Sequence, residues 1–484
     1  MMLGDGGSGR QRSHALAAVV LRALPAVRRW SERGVFRGDA VGARLLRTVS
    51  HPNAADYLCL ASRRRSAAKL AVVLLTAVSA PLAGNAGAET EPGSFVAVDL
   101  GTLGGTYSHA EAVNASGGVV GYSFTRGNVE YHAFLWTPAI GLIDLGSFVG
   151  TSSVARAVNA GGQVVGDTFT ADNGYWHAFS WTPASGLIDL GTLGGVGSSA
   201  QAVSANGQVV GHSATPAGAV HAFSWTPASG LIDLGTLGGT SSVAVAVNAS
   251  GEVVGHSTTS GEVAHAFLWT ETGGLIDLGT LGGTYSIAVA LSASGQVVGH
   301  SATRTGPAHA FSWTEAGGLI DLGTLGGASS AAVAVNAGGQ VVGQSDIAPQ
   351  QRRQHAFSWT PAEGMVDLGT LGGTYSIAVA VNDSGQVVGY SATRTGTAHA
   401  FSWTPAEGMI DLGTLGGAGS TAQAVDANGL VIGDSETKVG ERRAVLWCGE
   451  RKHHVGRKGE HVHRHRRGPC GQPGDTEEER RDPN

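Results

Sequence analysis

Cysteine and charge are both scarce in this chain of 484 residues. It has three cysteines, Cys59, Cys448 and Cys470, and charged residues make up 14% of the sequence. The long region between Cys59 and Cys448 contains no cysteine, so neither a disulfide framework nor a cysteine-ligated metal supports its fold. Aromatic residues are also few, at 6%, which makes the places where they gather informative.

Enzyme signatures are missing as well. The chain has no G-x-S-x-G elbow, no H-E-x-x-H and no P-loop. Its repeated G-x-x-G-G phrases precede no helix that could hold a phosphate. Residues 89–447 contain 9 basic and 26 acidic side chains, a balance that disfavours nucleic acid and anionic membranes as partners. The sequence predicts no cofactor and favours a non-enzymatic role, while leaving catalysis open.

Glycine, in contrast, is abundant, with 76 residues, most of them at fixed positions of a repeat. A module of about 44 residues occurs eight times between Asp99 and Trp447, which indicates a solenoid, a propeller or an array. Each copy holds four short β-type segments separated by turn sequences, the content of one β-propeller blade. The copies begin at Asp99, Asp144, Asp189, Asp233, Asp277, Asp321, Asp367 and Asp411.

The two ends of the array predict a closed ring. The eighth copy has three strands and lacks a fourth, whereas residues 95–100 form a fourth strand without the preceding three. Pairing 95–100 with the last blade completes that blade and removes exposed strand edges. We therefore predict an all-β, eight-bladed β-propeller over residues 89–447. A β-solenoid is the alternative, although the polar capping repeats that it needs are not evident.

The segments outside the repeats differ in composition. Residues 62–88 combine a basic start, an apolar stretch of about 15 residues and a small-residue end, the pattern of a secretory signal peptide. The apolar stretch is short for a membrane span and contains Pro81. We interpret residues 1–61 as an extension upstream of the natural start, and 448–484 as a disordered His- and Arg-rich tail or an out-of-frame segment. The sequence thus predicts an exported protein, extracellular or in the cell envelope, that is not integral to the membrane.

Seven copies carry a His-Ala-Phe triplet between DLGTLGG and GQVVG phrases, with the histidines at His132, His177, His221, His265, His309, His355 and His399. In these motifs the chain resembles the extracellular HAF repeat family of bacterial proteins. The resemblance covers residues 99–447 and implies a secreted bacterial protein, but no activity. The eighth copy departs from the pattern, with Arg443-Ala444-Val445 in place of the triplet.

The repeated histidines could form a ring of metal ligands. Their strands, however, carry Phe and Trp on the same face as the histidine. We expect each histidine instead to hydrogen-bond locally to the aspartate of the fourth strand, and we expect no metal site. The aspartate of DLG occurs once in every blade, so it is assigned the same structural role.

Functional residues are expected where the repetition fails. At the third position of the first strand the copies carry Glu111, Arg156, Gln201, Val245, Val289, Val333, Val379 and Gln423. In a closed ring these positions make one half of the channel region polar and the other half valine. Glu111 and Arg156 lie on neighbouring blades and could pair. The alternative is that these residues make structural, partly exposed polar contacts.

A second departure from the repeat is aromatic and lies in copies one and two. The loops between their second and third strands, and the loop entering copy two, hold Phe124, Arg126, Tyr131, Phe148, Phe169, Asp172, Asn173, Tyr175 and Trp176. These loops emerge on one face of a propeller, where aromatic rings suit stacking on sugars or gripping a peptide. The alternative is that these larger loops pack on themselves.

These observations predict a monomeric, secreted or cell-surface binding module for an extracellular glycan or protein. Two alternatives stay open. The first is a propeller enzyme acting on extracellular polysaccharide, and the second is a structural repeat protein of the cell envelope.

Overall fold

The computed structural model describes residues 95–148, 151–170, 174–348 and 351–449. The N-terminal extension, the signal-peptide segment and residues 450–484 of the tail lie outside the described residues, as do Asp172 and Asn173. All described residues belong to one compact unit, 88–484. This part of the chain forms 32 β-strands and no helix, so it offers no helix that could span a membrane.

The strands form eight antiparallel sheets of four. Blade 1 consists of β2 to β5, each later blade takes the next four strands, and blade 8 combines β30, β31 and β32 with β1. In chain order the strands are β1 Phe95–Asp99, β2 Gly104–Val113, β3 Val119–Thr125, β4 Tyr131–Thr137, β5 Gly141–Gly146, β6 Ser153–Val158, β7 Val164–Phe169, β8 Trp176–Thr182, β9 Gly186–Asp189, β10 Ser198–Val203, β11 Val209–Ala214, β12 Val220–Thr226, β13 Gly230–Asp233, β14 Gly238–Val247, β15 Val253–Thr259, β16 Ala264–Thr270, β17 Gly274–Asp277, β18 Gly282–Leu291, β19 Val297–Thr303, β20 Ala308–Thr314, β21 Gly318–Asp321, β22 Ser330–Val335, β23 Val341–Ala348, β24 Gln351–Thr360, β25 Gly364–Asp367, β26 Gly372–Val381, β27 Val387–Thr393, β28 Ala398–Thr404, β29 Gly408–Asp411, β30 Gly416–Val425, β31 Val431–Thr437 and β32 Arg442–Gly449.

The ring closes by the pairing that the sequence predicts. Strand β1 pairs antiparallel with β32, with Phe95 opposite Gly449 and Asp99 opposite Val445. The first strands of neighbouring blades contact one another all the way round, including β2 with β30, so they lie at the centre of the ring. The closed eight-bladed propeller is thereby confirmed, and the solenoid is wrong because every described sheet is a separate blade.

Strand β32 continues to Gly449, two residues past the predicted end of the propeller at Trp447. The change of composition after Trp447 does not stop the strand, because backbone pairing with β1 continues through Cys448 and Gly449. Cys448 is disulfide-bonded. The expectation that no disulfide supports the fold therefore does not extend to this last strand.

A β-bulge interrupts the first strand of each blade at the same place. In blade 4 the pairing shifts between Ala244 and Ala246, which leaves Val245 as the extra residue. Gly255 faces the bulge, and a Cβ on it would lie 1.9 Å from the carbonyl oxygen of Val243. In all eight blades the corresponding distance for the last glycine of the GQVVG phrase is 1.9 to 2.0 Å. The bulge therefore explains why this glycine is present in every copy.

Neighbouring blades pack through an apolar interface. Between blades 4 and 5, Val254 and Leu268 of one blade lie against Phe311 of the next. The interface between blades 8 and 1 has the same make-up, with Leu446 packed against Phe134. The phenylalanine of each His-Ala-Phe triplet is thus fully buried between blades. Burial of each of these side chains stabilises the propeller by roughly 2–3 kcal/mol.

A buried serine also links each blade to the next. Ser286 accepts a hydrogen bond from the backbone N–H of Ala266 in the preceding blade at 2.9 Å. Its hydroxyl donates to the carbonyl oxygen of Gly279 at 2.6 Å. An equivalent serine bridges every seam, including the closure, where Ser108 accepts from the N–H of Ala444. The serine satisfies two backbone groups that the sheet ladders leave unpaired.

Each His-Ala-Phe histidine has the partner that we expected. His265 Nδ1 lies 2.8 Å from Asp277 in the fourth strand, and the same pair occurs in the other six copies. Asp277 also accepts a hydrogen bond from the N–H of Gly279, which shapes the chain as it leaves the blade. In blade 8, Arg443 contacts Glu441 instead. The structural role of the histidine and aspartate is therefore confirmed.

Candidate functional site

The non-repeating positions of the first strand are the bulge residues. Glu111 in β2 and Arg156 in β6 occupy them in blades 1 and 2. Glu111 accepts a hydrogen bond from His109 at 3.0 Å, and Arg156 Nη2 lies 2.6 Å from Asp167 in the neighbouring strand of its own blade. The predicted Glu111–Arg156 pair is therefore wrong: each side chain is held by a partner within its own blade, and no ion pair joins the two among the described residues.

His109 is the centre of a charged network at the seam between blades 8 and 1. Its Nδ1 lies 2.6 Å from Asp434 in β31, and its Nε2 lies 3.0 Å from Glu111. Asp434 also accepts from the N–H of Ala110 at 3.3 Å and contacts Arg442 Nε at 3.4 Å. Burial by itself lowers the pKa of His109, but the charge of Asp434, with hydrogen bonds to Asp434 and Glu111, raises it well above the ordinary value. The two carboxylates around His109 thus favour its protonated form.

A continuous cluster of rings begins beside this network and crosses into blade 2. The ring of Tyr122 lies 5.2 Å from that of His109 and 5.5 Å from that of Tyr131. Tyr131 stacks on Trp176 of blade 2, with centroids 6.4 Å apart and planes inclined by 21°, and Trp176 meets Phe169 edge-on at 5.8 Å. We call the following six rings the aromatic ladder: Tyr107, Tyr122, Phe124, Tyr131, Phe169 and Trp176.

The aromatic ladder is buried at its inner end and open at its outer end. Burial raises the pKa of Tyr122 and of Tyr107, whose hydroxyl groups lie 3.5 Å apart. At the outer end Trp176 is partly exposed, and Tyr175 beside it is 47% exposed. The outer end therefore offers aromatic surface to a ligand, while the inner end fixes the rings in place.

The structure brings together most, though not all, of the predicted patch. Phe148 is partly buried and packs against the apolar core between blades 1 and 2. The hydrogen bond from its N–H to the hydroxyl of Thr168 at 3.3 Å accompanies this inward position. Arg126 is exposed in the turn between β3 and β4. Asp172 and Asn173 lie outside the described residues, so their predicted role stays a prediction.

The position that carries the charged network is not one of the candidate positions predicted from the sequence. It is the residue after the last glycine of GQVVG, which varies around the ring as Tyr122, Asp167, His212, His256, His300, Gln344, Tyr390 and Asp434. Asp167 and Asp434 use it to accept a hydrogen bond from the backbone of the next blade. On the other half of the ring, burial lowers the pKa of His256 to about 4, so that imidazole is neutral. The sequence did contain a signal for this network, because the residue type at this position varies from copy to copy.

Comparisons with known proteins find only remote structural similarity. No family model and no curated protein matches the chain. Among solved structures, TolB from Acinetobacter baumannii is 12% identical over 60% of this chain and 81% of its own, with a TM-score of 0.31. Dipeptidyl peptidase 4 from Porphyromonas gingivalis is 12% identical over 67% of this chain and 57% of its own, with a TM-score of 0.43. AofleA from Arthrobotrys oligospora is 9% identical over 67% of this chain and 91% of its own, with a TM-score of 0.32. Similarities this remote carry no argument about ligand or activity.

Proposed function

We propose that this protein is a binding module whose ligand lies on the face of blades 1 and 2, against Trp176 and Tyr175. The observation that carries the proposal is the aromatic ladder, six rings in contact across two blades with an open outer end. Blades 5 and 7 have single ring pairs at the corresponding place, Tyr285 with His300 and Tyr375 with Tyr390. Folding alone therefore does not require the extra rings.

The ligand class that suits this surface is a glycan or a peptide. A partly exposed indole beside an exposed phenol binds the apolar face of a sugar ring or an apolar side chain, and contributes energy beyond simple area burial. Tyr131 and Trp176 lie 6.4 Å apart and nearly parallel, so they form a continuous wall along which a ligand stacks from outside. The carboxylates beside the ladder, Glu111 and Asp434, are both bound to His109.

The same proposal includes a location outside the cytoplasm. It is supported by the signal-peptide pattern of residues 62–88 and by the resemblance of the repeats to the extracellular HAF family. Detecting the protein in the culture medium or the cell envelope, with its N-terminus near Glu89, tests this part of the proposal. Recovery of the uncleaved chain from the cytoplasm contradicts it.

Binding is tested with an array of glycans and peptides and with the double variant Trp176→Ala/Tyr175→Ala. Losing two stacking contacts is expected to weaken binding by about 10-fold or more. Tyr285→Ala/Tyr375→Ala is the matched control, since it removes two partly buried tyrosines from blades 5 and 7. Equal loss in both variants, or no loss in the first, refutes the site. A thermal midpoint for each variant establishes that the propeller is intact.

A further inference from the structure

Basic residues of the propeller occur at the same end of five consecutive blades. Each lies in the loop between the second and third strands or at the start of the third strand: Arg304 in blade 5, Arg353 in blade 6, Arg394 in blade 7, Lys438 in blade 8 and Arg126 in blade 1. All five are exposed. We call them the cation arc.

The cation arc lies on the face that carries the outer end of the aromatic ladder. The side chains of Arg304 and Arg394 lie against Gly282 and Gly372, where the chain enters the first strand of the same blade. Loops between the second and third strands therefore meet the connections between blades on one face. Arg126 belongs to the same blade as Tyr131, so the cation arc ends where the ladder begins.

The five cations have no ion-pair partner among the described residues. This is unusual in a region with 9 basic and 26 acidic side chains, where a carboxylate is available for every cation. The arginines Arg156, Arg442 and Arg443 do pair, with Asp167, Asp434 and Glu441. The members of the cation arc are thus five positive charges without an ion-pair partner among the described residues.

The opposite face carries charge of the other sign. The turns between strands one and two and between strands three and four contain seven carboxylates and no lysine, arginine or histidine in the described residues: Glu252, Glu271, Glu315, Glu363, Asp383, Glu407 and Asp426. A seven-residue strand separates the two faces by roughly 23 Å. This is several times the screening length of about 8 Å at physiological salt, so the acidic face does not cancel the field of the cation arc.

We propose that the cation arc and the aromatic ladder together bind an acidic polysaccharide. Its anionic groups contact the arc, one blade after another, and its sugar rings stack on Trp176 and Tyr175. The inference rests on the proposed function, because it names the ligand class of the same face. Charge complementarity selects a polyanion, and the adjacent aromatic surface selects one built from sugar rings.

Nucleic acid is the competing polyanion, and the charge distribution disfavours it. A duplex carries one charge about every 1.7 Å of its axis and is held by a dense patch of cations. Here each blade of the arc contributes one of its cations. The aspartate of the fourth strand, 41 to 43% exposed in blades 2 to 7, lies at the same end of the blade. The spacing suits a polymer of lower charge density.

The test measures binding of the full chain to polygalacturonate, dextran sulfate, neutral dextran and single-stranded DNA at several salt concentrations. Arg304→Gln/Arg394→Gln removes two charges of the arc. Glu315→Gln/Glu407→Gln, in the same two blades but on the opposite face, is the matched control. We expect the first variant to bind polygalacturonate or dextran sulfate about 10-fold more weakly, with a salt slope lower by roughly one to two, and the control to bind as the original chain does.

Each other outcome overturns the inference in a distinguishable way. If neutral dextran binds as well as the acidic polymers, and only Trp176→Ala/Tyr175→Ala weakens binding, the proposed function stands but the proposal of a polyanionic ligand is wrong. If single-stranded DNA binds more tightly than both acidic polysaccharides at equal salt, the polymer class is wrong. If the arginine and glutamate variants weaken binding equally, the polymer does not bind on the face that carries the cation arc. Thermal midpoints for all variants identify any loss of folding.

Discussion

Replacing His109 with valine is expected to weaken the seam between blades 8 and 1. His109 is 4% exposed, and Asp434, its partner at 2.6 Å, is equally buried. Valine removes the imidazolium and leaves the Asp434 carboxylate buried with only the N–H of Ala110 and Arg442 near it. Breaking a buried pair by removing one member costs about 3–5 kcal/mol when the remaining charge is uncompensated. Arg442 stays 3.4 Å from Asp434, so this range is an upper bound for the present variant.

The magnitude translates into a measurable shift of the thermal midpoint. If residues 95–449 unfold with the average entropy per residue, a loss of about 3–5 kcal/mol lowers the thermal midpoint by about 4–7 °C. The double variant His109→Val/Asp434→His is the matched control. It installs the residue types that stand at the corresponding positions between blades 3 and 4, namely His212 and Val243. Because it removes the stranded carboxylate as well, it is expected to recover more than half of the loss.

The effect also depends on pH. The folded-state pKa of His109 is raised above its unfolded value, so its contribution to stability is fully present below an unfolded pKa of about 6.5. It is lost as pH rises through the raised folded-state pKa. The difference in midpoint between the original chain and His109→Val is therefore expected to be largest in mildly acidic buffer, below about pH 6.5, and to shrink as pH rises through neutrality into alkaline buffer. Equal midpoints at neutral pH, or equal loss in the single and double variants, would refute the reasoning.

Two further predictions concern residues that repeat in every blade. Ser286→Ala leaves the N–H of Ala266 and a carbonyl oxygen unsatisfied in the seam between blades 4 and 5, so we expect the free energy of unfolding, measured with denaturant, to fall by about 2–4 kcal/mol. The control Ser260→Ala, at an exposed position, should change the free energy of unfolding by less than about 0.5 kcal/mol. Similar losses in both variants would contradict the role of the serine bridge. Gly255→Ala places a Cβ 1.9 Å from a backbone oxygen and should cost about 3 kcal/mol or more, or prevent folding. Gly261→Ala, whose Cβ meets only ordinary contacts, is the control and should unfold like the original chain in the same assay. Normal stability of Gly255→Ala would show that the backbone at the bulge moves to make room for the Cβ.

Repetition made some side-chain contacts predictable from the sequence. A histidine and an aspartate at constant spacing in seven copies have to serve the same geometry seven times, and the structure places each pair in hydrogen-bond contact, as in His265 with Asp277. Contacts of residues that occur in only one copy could not be predicted in this way. Glu111 and Arg156 occupy neighbouring bulges, yet each is bound within its own blade. Sequence spacing gives the blade and the strand, but not which of several charged neighbours comes nearest.

The aromatic patch shows the same limit. The sequence indicated that blades 1 and 2 carry extra rings, Tyr122 among them, but Phe148 packs against the apolar core, and Tyr107, which was not among the predicted residues, joins the ladder. Tyr107 was not distinguished because Tyr285 and Tyr375 occupy the same repeat position without forming such a cluster. Whether a tyrosine joins a cluster depends on what the neighbouring strand presents at the facing position, and this differs between blades.

The sequence by itself determined the number of blades, the four strands in each and the strand that closes the ring, because period, turn residues and end strands are local properties of the chain. Only the tertiary structure decided the rest. It brought Asp434 to His109 across 325 positions of sequence, placed Trp176 on Tyr131 and gathered five single cations onto one face. The first two contacts join neighbouring blades, so they depend on which side chains face each other across a seam, and no local pattern of residues describes this.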